Sequence, residues 1–170
     1  GMKTTGVSWY DLEAPLAGLG DGEEAIDWIR ATETVQTAFS RSYPKLGSFV
    51  QSICERNWIE WEPRANKRPG AFCTGSLLTG ESRSFMTYNG TMGDVRTLAH
   101  EAGHAFHSFI LRDMRAYGRS YPMTLAESAS TFGEMILTEG ILADPAFDAA
   151  QKLSALDSAT AQGAVFLMDI

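Results

Sequence analysis

All three histidines of the chain, His100, His104 and His107, fall within eight residues of one another. They sit in a segment that can only sensibly be a helix. Thr91 and Asp94 form an S/T-x-x-D/E start signal just ahead of it, which predicts a helix from about Met92 to about Leu111. Val95, Leu98, Ala102, Ala105, Phe106 and Phe109 recur at helical spacing and give that helix a buried face. A fold for this chain must therefore bury one side of the helix and present imidazoles on another.

His100 and His104 are four residues apart, so they stand on one face about 6 Å apart along the axis. Two imidazoles so placed can hold one zinc ion. Glu101 lies between them and points slightly aside, which completes the HExxH pattern. Zinc accepts neutral imidazole nitrogen and carboxylate oxygen, polarises a carbonyl and lowers the pKa of a bound water to about 7. A carboxylate beside that water takes its proton and can pass it to a leaving amine. The bland alternative is a set of exposed or core-satisfied histidines.

A third ligand must come from elsewhere. Position 107 is His and position 110 is Ile, which excludes the spacing HExxHxxGxxH. A glutamate 18 or 19 residues on fails as well, because Met123 and Thr124 stand there. The next candidate is Glu127, separated from the motif by 22 intervening residues, on a second helix that Pro122 opens and that is expected to run to about Leu142. Glu127 could instead be the capping partner of Thr124, although a helix starting at Pro122 places it in the interior.

The rest of the chain reads as layers around this helix pair. Residues 8–57 form a helical layer. It has one helix over 22–42 with Ile26, Ile29, Val35 and Phe39 facing inward. A second starts at Pro44 and buries Leu46, Phe49, Val50, Ile53 and Cys54. Trp9 to Pro15 reads as extended or irregular. Residues 58–90 read as a small sheet, with strands expected at Trp58–Glu62, Ala71–Thr74 and Ser84–Tyr88. Residues 91–170 supply the zinc-site helices, the last beginning at about 146 after the break at Asp144-Pro145. The expected fold is mainly α with a small antiparallel or mixed β-sheet, in one domain over 1–170.

Acidic residues outnumber basic ones by 21 to 14, for a net charge of −7, which argues against broad binding to nucleic acid or an anionic membrane. No stretch approaches the ~18 apolar residues of a membrane span, and the N-terminus lacks an apolar signal core. Cys54 and Cys73 form no CxxC pair and are expected to be reduced and buried, which fits the cytoplasm.

The chain resembles the thimet-oligopeptidase-like family of zinc metallopeptidases, specifically its oligoendopeptidase F branch. The resemblance rests on Trp9-Tyr10-Asp11-Leu12-Glu13-Ala14-Pro15, on Asn66 to Phe72, on Thr97 to His104, and on Tyr121-Pro122-Met123 with Glu127 to Glu134. It implies that His100, His104 and Glu127 bind one Zn2+ per chain and that Glu101 is the general base. It also implies an intracellular hydrolase of short peptides with a helical, clamshell-like body and a small sheet beside the active-site helix. Enzymes of this family run to several hundred residues and carry oxyanion-stabilising His and Tyr residues beyond the glutamate ligand. The 43 residues after Glu127 contain neither. The chain is therefore expected to be part of a catalytic domain, with apolar surfaces left open and a tendency to self-associate.

Further residues carry secondary expectations. His107 is a candidate for bonding substrate or a carboxylate, or is a satisfied interior histidine. Glu134, seven after Glu127, is placed to orient a ligand imidazole through its second nitrogen, or is a solvated charge. Ser130 and Thr131 share that face as weaker candidates. Gly70, Ala71, Phe72, Cys73 and Thr74 are the candidate sheet edge to which a peptide adds as a strand. The connection from Arg112 to Tyr121, with Arg115, Tyr117 and Arg119, contacts substrate or is a solvated link. Two other classes remain open: a catalytically silent zinc-binding or partner-binding module, and a metal-free helical interaction protein.

Overall fold

The structure, a computed structural model, describes residues 25–168, with the side chains of 165–168 left aside. The expected extended segment at Trp9–Pro15 lies outside the described residues. Five helices and three strands follow in the order α1 (Trp28–Ser42), α2 (Pro44–Glu55), β1 (Ile59–Glu60), β2 (Ala71–Gly75), β3 (Ser82–Met86), α3 (Met92–Leu111), α4 (Met123–Ala143) and α5 (Ala149–Met168). A short 3-10 turn at Ala116–Arg119 sits between α3 and α4. The mainly helical fold with a small mixed sheet is the one the sequence predicts. No described helix is long and apolar enough to cross a membrane.

Local chemistry sets each helix start. Asp27 caps α1 by accepting from the Arg30 amide at 2.8 Å, so the helix begins later than the periodicity suggests. Ile26 then precedes the helix, and Ile29 lies on its outer side, 68% exposed; the inward face is Ala31, Val35, Ala38 and Phe39. Ile29 is a correction to the expected core. Pro44 occupies the first turn of α2, where a missing amide costs nothing. At α3 the Thr91 hydroxyl accepts from the Asp94 amide and the Asp94 carboxylate accepts from the Thr91 amide, the reciprocal pair that the sequence predicts. Asp148 and Gln151 make the same exchange at α5, which starts three residues later than expected because Pro145 to Phe147 form a turn.

The sheet runs in the order β1-β3-β2, with β1 parallel and β2 antiparallel to β3. β3 is two residues earlier than predicted. Its inward positions are Ser82, Ser84 and Met86; Ser84 opens the expected strand, whereas the buried Ser82 falls in the stretch expected as loop. β1 shrinks from five expected residues to two, although single bonds from Ser84 to Trp58 and from Tyr88 to Trp61 keep the flanks alongside. Trp28 stacks on Trp61 with ring centroids 4.6 Å apart, and Tyr88 meets both edge-on while its hydroxyl donates to the Ile26 carbonyl. This lashes the entry of α1 to the exit of the sheet.

α3 is the centre of the molecule. It packs against α4, the sheet, α1 and α2, and Val95, Leu98 and Ala99 are fully buried. Cys54 and Cys73 are both free and half-buried rather than fully buried. Burial pushes each thiol up to about 11, so both are neutral thiols at physiological pH.

Candidate metal centre

Two glycines bring α3 and α4 together. A Cβ at Gly103 would lie 2.6 Å from the Ala129 carbonyl oxygen, and one at Gly133 would lie 2.6 Å from that of Ala99. Each glycine accepts the backbone of the other helix where any side chain would clash. The close approach sets the height of α4 against the histidine face. It places Glu127 opposite both imidazoles.

His100 Nε2 lies 3.3 Å from Glu127 Oε2, and His104 Nε2 lies 3.6 Å from the same oxygen. One donor atom from each of His100, His104 and Glu127 falls within 4.8 Å of the others. Two ligands of a tetrahedral zinc ion stand about 3.3–3.4 Å apart for bonds of 2.0–2.1 Å. The donor chemistry and the spacing therefore fit that ion. Glu127 is not a capping partner of Thr124: Pro122 is the N-cap of α4, and no side chain caps it.

Glu101 is 4% exposed, and its Oε2 has no hydrogen-bond partner among the described residues. It lines one cavity with His100, Glu134 and Arg96. Burial pushes its carboxyl up to about 7, against the opposing pull of His100 and with a further push from Glu127. A buried carboxyl without a partner is costly unless a reacting group uses it. Burial lowers the pKa of His100, but the Glu134 hydrogen bond and the surrounding carboxylates outweigh it and raise the group overall. Burial and the His100 charge lower His104.

The remaining predicted residues separate clearly. Glu134 is buried, and its Oε1 stands 2.6 Å from His100 Nδ1. It is not a solvated charge. Ser130 is fully buried and its hydroxyl donates to Glu127 Oε2 at 2.8 Å, so it meets the carboxylate rather than an imidazole. Thr131 returns its hydroxyl to backbone carbonyls of its own helix, Glu127 at 2.7 Å and Ser128 at 3.4 Å, and hydrogen-bonds to no imidazole. His107 stands apart from the cluster. Its ring packs on Tyr121 with centroids 4.6 Å apart, Nδ1 is buried without a partner, and burial lowers its pKa.

β2 pairs only with β3, so one edge of the strand that carries Ala71, Phe72, Cys73 and Thr74 is unpaired among the described residues; Gly70 immediately precedes it. The strand runs along α3, and its end at Gly75 meets Ser108. There Arg112, Arg119 and Tyr121 line a cavity with the β2–β3 turn, whereas Arg115 and Tyr117 stay in solvent. Arg96 and Gln162 were not singled out by the sequence reading. Arg96 lies four residues before His100, and that spacing was the available signal.

Residues 42–165 match the profile of peptidase family M3. The chain belongs to that family. It is 35% identical over 144 residues to the plasmid-encoded oligoendopeptidase F of Lactococcus lactis subsp. cremoris, covering 83% of this chain and 23% of that protein. It is 32% identical over 139 residues to the group B oligopeptidase PepB of Streptococcus agalactiae, covering 80% and 22%. A crystal structure of a candidate peptidase from Chlamydophila abortus superposes with a TM-score of 0.69 at 28% identity, over 81% of this chain and 24% of that one. The chain thus spans less than a quarter of the length of the curated relatives it matches.

Proposed function

We propose that the protein is the metal-holding part of a zinc-dependent oligopeptidase that hydrolyses short peptides. One observation carries this reading: three donor atoms from His100, His104 and Glu127 converge within 4.8 Å beside a buried carboxyl, Glu101, that has an unpartnered oxygen. When bound, zinc would supply Lewis acidity toward a peptide carbonyl and acidify a water molecule. His100 and His104 would hold the ion through Nε2, with Glu127 Oε2 as the third donor. Ser130 steadies that oxygen from behind. Glu101 acts as the proton acceptor, and a carboxyl near pH 7 is suited to both taking and returning a proton. The free edge of β2 offers backbone groups to an extended peptide, with alternate side chains left to set preference. Two unpaired thiols are consistent with a reducing, cytoplasmic setting.

Elemental analysis of protein purified without chelator tests the metal. One zinc per chain is expected in the parent and none in His100→Ala or Glu127→Ala. Equal zinc in all three would sink the ligand assignment. Zinc bound at full stoichiometry without turnover of any short peptide would instead favour a silent zinc-binding module.

We further propose that the chain self-associates. Leu125, Phe132 and Met135 lie toward one side of α4, each more than half exposed. Sedimentation should show species heavier than 18.6 kDa that dissociate when Phe132 and Met135 are replaced by serine and glutamine. A monomer at every concentration would refute this.

A further inference from the structure

The geometry points to Arg96 as a positioning residue for the metal centre, acting through Glu134 on His100 and anchored by Gln162 of α5. This inference rests on the reading that His100 is a metal ligand.

Glu134 is 5% exposed, so water does not orient its carboxylate. Protein groups do so at both oxygens. Oε1 accepts from His100 Nδ1 at 2.6 Å and lies 3.4 Å from Gln162 Nε2. Oε2 accepts from Arg96 Nε at 2.5 Å. The Arg96 guanidinium is held in turn from the far side, where it donates to Gln162 Oε1 and, at 3.5 Å, to the Ser158 carbonyl. The arrangement is a closed loop of α3, α4 and α5 side chains, with the imidazole as its inner end.

The consequence for His100 is specific. In the neutral ring, a carboxylate oxygen at 2.6 Å requires Nδ1 to carry the proton, which leaves Nε2 as the lone pair on the Glu127 side, available to a metal ion. Glu134 can impose that only while its plane is fixed. Removing Arg96 frees one oxygen, the carboxylate can rotate toward the open cavity, and the ring loses its orientation. Lysine at position 96 keeps a donor of the same charge but not the fork that spans Glu134 and Gln162 together.

Two readouts on the full chain test this. In metal-free protein at pH 8, long-range nitrogen–proton NMR should show His100 as the Nδ1–H tautomer. Arg96→Met should convert it to a mixture, and Arg96→Lys should restore most of the Nδ1–H form. Zinc affinity, measured by competition with a chromogenic chelator, should fall roughly 10- to 100-fold in Arg96→Met, and by less in Arg96→Lys and Gln162→Met. An unchanged tautomer together with affinity within twofold of the parent, in Arg96→Met of native circular dichroism, would overturn the assignment. If Arg96→Met is unfolded, the Lys and Gln162 variants decide: parental tautomer and affinity in both overturn it. A parent that shows the tautomer shift on substitution but binds no zinc would retain Arg96 as a positioning residue and refute the metal reading instead.

Discussion

Gly103→Ala is expected to lower zinc affinity roughly 100-fold or more and to lower the melting temperature by about 5–10 °C. The added methyl would sit 2.6 Å from the Ala129 oxygen and 2.9 Å from the Ser130 Cα, both backbone atoms that no rotamer change can move. α4 must back away from α3, and Glu127 and Ser130 travel with it. An overpacking cost of about 1–3 kcal/mol corresponds to roughly 5- to 150-fold, and the loss is expected at the upper end of that range because the proposed ligand shifts together with the residue that steadies it. Gly133→Ala meets the Ala99 oxygen at the same 2.6 Å and should behave alike. Gly163→Ala on α5 has nothing within 4 Å of the new Cβ and is the matched control, expected neutral or slightly stabilising. Competition titration and thermal melts of the three variants read this out. Parental zinc affinity in Gly103→Ala would show that the helix approach does not set the metal geometry.

Glu101→Gln is expected to reduce peptide hydrolysis by at least ~10²- to 10⁴-fold while stabilising the metal-free protein above pH 7. The two effects share one cause, a buried carboxyl with an unpartnered oxygen. Its pKa is raised from 4.5 to about 7 in the folded state. A carboxyl raised in this way favours the native state fully below about 4.5, where both states are protonated. That contribution is lost as pH climbs through 7. The difference corresponds to roughly 3 kcal/mol for this group. Urea unfolding in the presence of chelator should therefore show the parent losing stability between pH 4.5 and 7 relative to Glu101→Gln, and a flat difference above that window. Parallel pH profiles for parent and variant would rule out the buried carboxyl as the source.

The convergence of the candidate donor residues was legible because its strongest signal is local. Spacing alone puts His100 and His104 on one helical face with Glu101 beside it, and the Thr91–Asp94 cap announces that helix. Glu127 was reachable by eliminating other spacings. Glu134 was reachable from its place two turns further on. What stayed hidden depends on contacts between elements distant in sequence. Gly103 and Gly133 read as unremarked positions until the two backbones meet across them. Gln162 is 62 residues from His100 and carries no pattern. Ser82 looks like loop because burial on the inner face of β3 is decided by the sheet, and the parallel pairing of β1 has no local signature. Ile29 was misread for a different reason: the Asp27 cap sets where α1 begins, and a face assigned from a helix begun too early takes in a residue that points outward.

The three donor residues come from only 28 consecutive residues, 100 to 127, carried by two adjacent helices and the connection between them. In chain-entropy terms this is a short loop to close, and its cost grows only slowly with length. Contacts within such a segment form before α1, at 28–42, must find α4, at 123–143. An ion bound to this helical hairpin would therefore be captured by a partly organised chain and would guide the later docking of α1 on α4.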